Sequence, residues 1–306
     1  MISCVENKIF VHIYPDGSTF FKFESTGDST DVFNNDFIHP QNLKGWNDNI
    51  DAFEKNDEKK WRMITEGIST DSILIFQDGE NKTLNYSFKR YNHETWFSSE
   101  FGAEIRFQGK QIKDEFPKLY EALISDNPDS LFWLPEAMMV LMRKGLNEIS
   151  PDSISPQQAK RNQRLVNHLR NSFAKTQTLD DMKKIQKDRE TFLIDLLKPF
   201  QIEPSFPNRL AKAMEKHEAI LKSAMDLKDD SFQWKILMPG KPVRTNASNI
   251  KGDTLIWEFG LDSLLSESFE LKAESVIYPT DRIQKTLIFT GLLTLIFVAL
   301  AIKKRI

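Results

Sequence analysis

Asn7–Ser25 reads NKIFVHIYPDGSTFFKFES, two alternating runs around a tight turn. Ile9, Val11 and Ile13 alternate with Lys8, Phe10 and His12. Beyond the turn, Thr19, Phe21 and Phe23 alternate with Phe20, Lys22 and Glu24. A period of two puts each set on one face of a strand. Tyr14–Pro15–Asp16–Gly17–Ser18 supplies the reversal, because Pro fixes φ, Asp caps its own backbone and Gly takes the left-handed position. The stretch predicts an antiparallel hairpin.

The same pattern recurs outward. Residues 26–66 are irregular and polar, with a short helix expected near Asp57–Thr65. Ile73–Phe76 leads through Gln77–Asp78–Gly79–Glu80–Asn81 into Thr83–Tyr91, a second hairpin, and a further strand is expected near Ala103–Phe107. Near the other end, Phe232, Trp234, Ile236 and Met238 form an alternating run that turns at Pro239–Gly240. Leu255, Trp257 and Phe259 form another, and Phe269, Leu271, Ala273, Ser275 and Ile277 a third. Each has one oily face, as in an antiparallel sheet with one wet side.

Between these strands the spacing turns helical. Lys110–Ile124 carries Phe116, Leu119, Tyr120 and Leu123, with Pro117 marking a start. Leu131–Lys144 is expected to stop at Gly145. Ser155–Pro156–Gln157–Gln158 is a capping box. Thr178–Leu179–Asp180–Asp181 opens another helix that Pro199 closes, and Ser205–Phe206–Pro207 opens the last, to about Asp226. The expected fold is α+β: an antiparallel sheet from N- and C-terminal strands, with a helical insertion. The segments are 1–108 (β-rich), 109–230 (helical), 231–282 (strands) and 283–306 (anchor).

That anchor is the uncharged run Thr286–Ile302 between Lys285 and Lys303–Lys304–Arg305. At 1.5 Å per residue it is about 26 Å long, close to bilayer hydrocarbon thickness. Leu287, Ile288, Phe289, Leu292, Leu293, Leu295, Ile296, Phe297, Val298, Leu300 and Ile302 would face lipid. Thr286, Thr290 and Thr294 bond back to the helix backbone. The flanking bases, Lys303, Lys304 and Arg305 against Arg282 and Lys285, favour a cytoplasmic C-terminus and an extracytoplasmic body.

Cys4 is the only cysteine, which excludes an internal disulfide and a multi-cysteine zinc site. Ile2–Ser3–Cys4 matches the end of a bacterial lipoprotein box, making Cys4 a lipidation candidate. The charged and apolar regions of a leader are then expected upstream. Taken together, several features resemble a class of bacterial envelope lipoproteins with the LppM-like layout. These are Cys4, the Asp16–Gly17 hairpin, and Pro239–Gly240, Asn246 and Gly252–Asp253–Thr254–Leu255–Ile256–Trp257–Glu258–Phe259 ahead of the terminal helix. The resemblance covers residues 4–24 and 232–306. It implies an envelope protein without established catalytic residues and supplies no active site.

Net charge is −3 over 306 residues, which gives no general pull toward nucleic acid. Phenylalanine occurs 23 times against 12 glycines, pointing to filled cores rather than flexible linkers. The five histidines, His12, His39, His93, His168 and His217, stand in no metal-ligand spacing, and no phosphate loop or nucleophile elbow is present. Neither metal nor cofactor is expected. Asn81–Lys82–Thr83, Asn85–Tyr86–Ser87 and Asn246–Ala247–Ser248 match the glycosylation sequon. One helix, Pro156–Lys175, is basic through Lys160, Arg161, Arg164, Arg170 and Lys175, with Leu165, Val166, Leu169 and Phe173 left to dock it. Its cationic face suits anionic lipid or an acidic partner, or is simply solvated. The expectation is a membrane-anchored, non-enzymatic envelope protein that meets the bilayer and a protein, glycan or anionic lipid partner. The rival readings are a tail-anchored interaction module facing the cytosol and an enzyme with an unrecognised site.

Overall fold

The computed structural model describes residues 5–34, 37, 39–40, 45–55, 58–77, 84–149, 156–173, 189–200 and 202–303. The expected union of N- and C-terminal strands is present, and it happens twice. One sheet is built from β1 (Glu6–Ile13), β2 (Thr19–Gly27), β3 (Asn47–Lys55), β4 (Glu58–Ser69), β8 (Ser231–Leu237), β10 (Asn249–Lys251) and β11 (Thr254–Gly260), in the order β10-β11-β8-β1-β2-β4-β3. The other holds β5 (Ile73–Phe76), β6 (Tyr86–Glu94), β7 (Ser99–Gln108), β9 (Lys241–Thr245) and β12 (Ser268–Ile277), in the order β5-β6-β7-β12-β9. Strands with one oily face each bury it by facing two sheets together.

The first hairpin forms as expected, in a register that sets Ile9 opposite Phe23 and Ile13 opposite Thr19. Gly17 sits at φ 89° and Ser18 N donates to Asp16 Oδ1 at 2.9 Å, which is the turn chemistry its residues demand. Among the described residues every pairing is antiparallel except β1 with β8, which run parallel from Glu6/Ser231 to His12/Leu237. A parallel neighbour needs a long crossover to bring the chain back in the same direction. Strands β2–β7 and the helical segment together make that connection.

Aromatic side chains interlock across the two sheets. Phe21 meets Phe88 edge-on at 5.0 Å, Tyr86 meets Trp234 at 5.8 Å, and Phe107 meets Trp234 at 5.6 Å. Tilted and edge-to-face pairs at these distances are favourable beyond the area they bury. Asn246 ties the sheets at one edge. It follows β9, accepts from Trp257 Nε1 (3.0 Å, β11) and Lys272 N (2.8 Å, β12), and donates to Glu270 O at 2.7 Å.

The helices are α1 (Ser29–Val32), α2 (Ile112–Glu115), α3 (Pro117–Ile124), α4 (Leu134–Ile149), α5 (Pro156–Phe173), α6 (Arg189–Leu197), α7 (Phe206–Asp226) and α8 (Thr280–Lys303). Helices α2–α7 form one block. It enters from β7 and returns to β8, so it sits at the end of the sandwich where Gln108 and Ser231 lie. Call this the far end; β8 spans about 20 Å from there to Leu237 at the near end.

Three expectations change. The segment expected to hold a helix near Asp57–Thr65 is β4, hydrogen-bonded to β2 on one side and β3 on the other. Its Thr65, Gly67 and Ser69 are buried while Ile68 is bare, so pairing on both edges and burial of one face outweighed the local charge pattern. Gly145 does not end α4, which continues to Ile149. It instead leaves room for α7: a Cβ there would stand 3.0 Å from Met214 Cγ and 3.1 Å from Leu210 Cδ1. Strand β3, inside the stretch expected to be irregular, and the short strands β9 and β10 stand where no strand was expected. The signature at Thr178–Asp181 lies outside the described residues.

Asn246→Ala strips partners from two donors and one carbonyl at once. It should lower unfolding stability by about 1–3 kcal/mol, measured by urea titration of the full chain in detergent. Trp257→Phe, which removes one donor and keeps most of the ring, should cost less.

Candidate membrane-proximal site

The near end of the sandwich carries the features with the clearest chemistry. Strand β12 ends at Ile277, and Tyr278–Pro279 leads into α8, with Ile283 N donating to Pro279 O at 3.1 Å. Helix α8 has 24 residues, and Thr280–Ile302 is long and apolar enough to cross a membrane, with none of it buried in the protein. Leu287, Ile288, Phe289, Leu292, Leu293, Leu295, Ile296, Phe297, Val298, Leu300 and Ile302 all stand exposed. Thr286, Thr290 and Thr294 donate to the carbonyls of Arg282, Thr286 and Thr290 at 2.7–2.9 Å, so the run has no free hydroxyl donor. Lys303 ends the helix; its side chain, Lys304 and Arg305 lie outside the described residues, as does Cys4.

A hairpin grips the start of this helix. Strands β6 and β7 stay paired to Glu94↔Ser99, and a tight loop closes them, with Thr95 N donating to Ser98 O at 2.7 Å. From this loop Trp96 Nε1 donates to Thr286 Oγ1 at 2.8 Å. Arg282 donates to Glu94 Oε1 at 2.9 Å and Thr95 O at 3.3 Å, and its guanidinium lies 6.0 Å from the Trp96 ring centroid. The sequence reading treated Arg282 only as a topology charge and passed over 94–99. Two adjacent large aromatics inside a hairpin turn, where polar residues are the rule, were the signal available there.

The basic helix forms as expected. Leu165, Leu169 and Phe173 are buried against the block, and Lys160, Arg164 and Arg170 are exposed. The side chain of Arg161 and all of Lys175 lie outside the described residues, as do Lys183, Lys184, Lys187 and Asp188 of the neighbouring mixed-charge run. Helix α5 rides on the block at the far end, so its cations and the entry to α8 occupy opposite ends of the body. Val5 is at the far end too: it is buried, and its carbonyl accepts from Ser231 N at 3.0 Å. The two features expected to serve one membrane are thus separated by the length of the sandwich.

The histidines meet ordinary partners. His168 Nε2 lies 2.9 Å from Leu196 O, and His217 Nε2 lies 3.1 Å from Glu148 Oε2. No group of three or more His, Cys, Asp or Glu able to hold a metal occurs among the described residues. A polar cleft of about 260 Å³ opens where the block meets the second sheet, lined by Gln108, Lys110, Gln111, Lys144 and His217. At its rim Lys144 pairs with Glu115, and Glu148 meets His217. The sequons are spoken for as well: Asn85 is buried, Asn246 is the tie between the sheets, and Asn81 is outside the described residues.

One buried cluster resembles a nucleophile–base pair. Ser25 Oγ lies 2.8 Å from His39 Nε2 and donates to Asn7 Oδ1, while His39 Nδ1 lies 3.1 Å from Thr65 Oγ1, which donates to Asp48 Oδ1 at 2.7 Å. Asn7 Nδ2 donates to Asp230 Oδ2 at 3.4 Å. His39 is 1% exposed and Ser25 and Asn7 are equally enclosed, so the chain of bonds satisfies polar groups inside the first sheet's core face. Burial lowers the pKa of His39 to about 3, which keeps it neutral.

No family model matches the chain, and a search of curated proteins finds no match. Among solved structures the chain is similar to the NMR structure of the folded domain of LppM from Mycobacterium tuberculosis, at 5% identity over 92% of each chain with a TM-score of 0.31. At that score the likeness carries no structural argument.

Because the folded-state pKa of His39 lies below its unfolded value of 6.5, the unfolded chain binds a proton that the native state refuses. Stability is therefore full above about pH 6.5 and falls by about 1.4 kcal/mol per unit as the pH drops toward 3. Denaturant titrations between pH 7.5 and pH 5 should show this slope, with a loss of about 2 kcal/mol at pH 5. His39→Gln should flatten it. His12, whose pKa partial burial also lowers, contributes in the same direction and stays in the variant.

Proposed function

We propose that this protein is a single-pass, non-enzymatic component of the bacterial cell envelope. Helix α8 anchors it, and the α+β body stands outside the cytoplasm and binds a partner there. The observation that carries the reading is α8: 17 successive uncharged residues, Thr286–Ile302, exposed from Leu287 onward and with their hydroxyls turned back on the helix. Each exposed Leu, Ile, Val or Phe forgoes about 1.5–3 kcal/mol of burial in water, so eleven of them along one helix call for an apolar medium.

The outward orientation rests on three bases after the uncharged run against two before it. The envelope location also agrees with the LppM-like layout of the sequence. The exposed Lys160, Arg164 and Arg170 sit at the end away from α8, which supports an acidic protein or glycan as partner over the head groups of the anchoring bilayer. A lipid on Cys4, next to Val5, would leave the body from that same far end, so α8 serves as anchor without it.

Two measurements test this. Wild-type protein should stay with membranes through alkaline carbonate extraction. Leu293→Asp/Ile296→Asp, which costs about 5–7 kcal/mol of insertion at the helix centre, should be released. In a Cys4→Ser background, an impermeant maleimide applied to intact spheroplasts should label Lys251→Cys on the body and leave Ile306→Cys unlabelled. The reverse pattern would place the body in the cytosol as a tail-anchored module.

A further inference from the structure

We infer that the tip of the β6–β7 hairpin, Trp96–Phe97, is a second membrane contact. It seats in the interfacial layer of the bilayer that α8 crosses and holds the body at a fixed tilt. This rests on the reading of α8 as a membrane span.

Depth is the first argument. Thr286 opens the uncharged run, one residue past Lys285, so it marks the boundary between head groups and hydrocarbon. The hydrogen bond from Trp96 Nε1 to Thr286 Oγ1 places the indole at that level. An indole combines a large apolar body with one polar N–H, and such side chains concentrate at membrane–water boundaries. Phe97 follows it with no polar atom to satisfy.

Exposure is the second. Trp96 and Phe97 are 57% and 54% exposed, although both are large apolar side chains in a well-formed turn. The paired strands run four residues past Arg90, about 13 Å, to reach that turn, and Tyr91, Asn92, His93 and Glu94 are exposed along the way. Tyr278, at the foot of α8, is 60% exposed beside them. A hairpin whose turn presents bare aromatics beside an apolar helix, just past the buried Phe101, matches a bilayer surface in chemistry and position.

Rigidity is the third. Arg282 bonds both Glu94 and Thr95, and the loop closes on itself through Thr95 and Ser98. The tip and the helix therefore move as one piece, and their relative depth is built in rather than adjustable.

The test uses the full chain in a Cys4→Ser background, reconstituted in vesicles of phosphatidylcholine and phosphatidylglycerol at 3:1. An environment-sensitive fluorophore is placed in turn on Phe97→Cys, Lys251→Cys and Leu293→Cys. The probe at 97 should lose most of its emission to a shallow lipid-borne quencher and little to aqueous iodide. The probe at 251 should show the opposite. The probe at 293 should respond to a deep lipid quencher. Full iodide access at 97 with deep quenching at 293 would overturn the second contact and leave the anchor intact. Loss of quenching at 293 would overturn the anchor itself. Trp96→Ala/Phe97→Ala should remain in the vesicles, since α8 is untouched, while energy transfer from a Lys251→Cys donor to a surface lipid acceptor changes. An unchanged transfer would mean that the tip does not set the tilt.

Discussion

The parallel pairing of β1 with β8 holds the architecture together. Seven residues at the start of the chain, Glu6–His12, lie beside Ser231–Leu237, so more than two hundred residues are strung between neighbouring strands. That single pairing decides where everything else goes. It makes the helical block an insertion, puts it at the end where β8 begins, and sends β8 back toward the end from which α8 departs. Such long-range pairing is slow to form, because loop closure precedes any reward from the contact.

What stabilises the pairing is a core of aromatic rings, backed by a few well-satisfied polar groups. Phe21, Phe23, Phe88, Phe107 and Trp234 are almost fully buried, and their tilted and edge-on contacts lock the sheets in one relative position. The bond chain through Asn7, Ser25, His39 and Thr65 crosses three neighbouring strands and a loop on the same face. Buried polar groups that bond one another can tolerate that setting, and their geometry admits one register. Asn246 serves the opposite edge, giving two strands of different sheets a shared partner.

The two ends of the body differ in character. The near end gathers the β6–β7 turn with its bare aromatics, Arg282 and an apolar helix, joined by the Trp96–Thr286 and Arg282–Glu94 hydrogen bonds. The far end gathers the helical block and the cations of α5. A molecule polarised in this way reads as one that stands on a membrane and presents its other end outward. The sealed Ser25–His39 pair shows why proximity of chemistry-bearing residues is weak grounds for catalysis: without solvent access neither can meet a substrate.

Local patterns were legible in the residues themselves. Alternation over Asn7–Ser25, the Asp16–Gly17 turn, the proline starts of α3, α5 and α7, and the uncharged run of α8 are each written within about twenty contiguous residues, because strand period, turn geometry and hydrocarbon thickness are local constraints. The α+β class followed from their order. The tertiary structure alone decided the parallel sense of β1 and β8, the second sheet, and the strand at Glu58–Ser69, whose residues become a strand only by pairing on both edges. It alone revealed Gly145 as a packing site rather than a stop, and it brought Trp96 to Thr286 across 190 residues. None of these is encoded in spacing along the chain. Each depends on which distant surface arrives to pair, pack or donate, and that is settled only when the whole core closes.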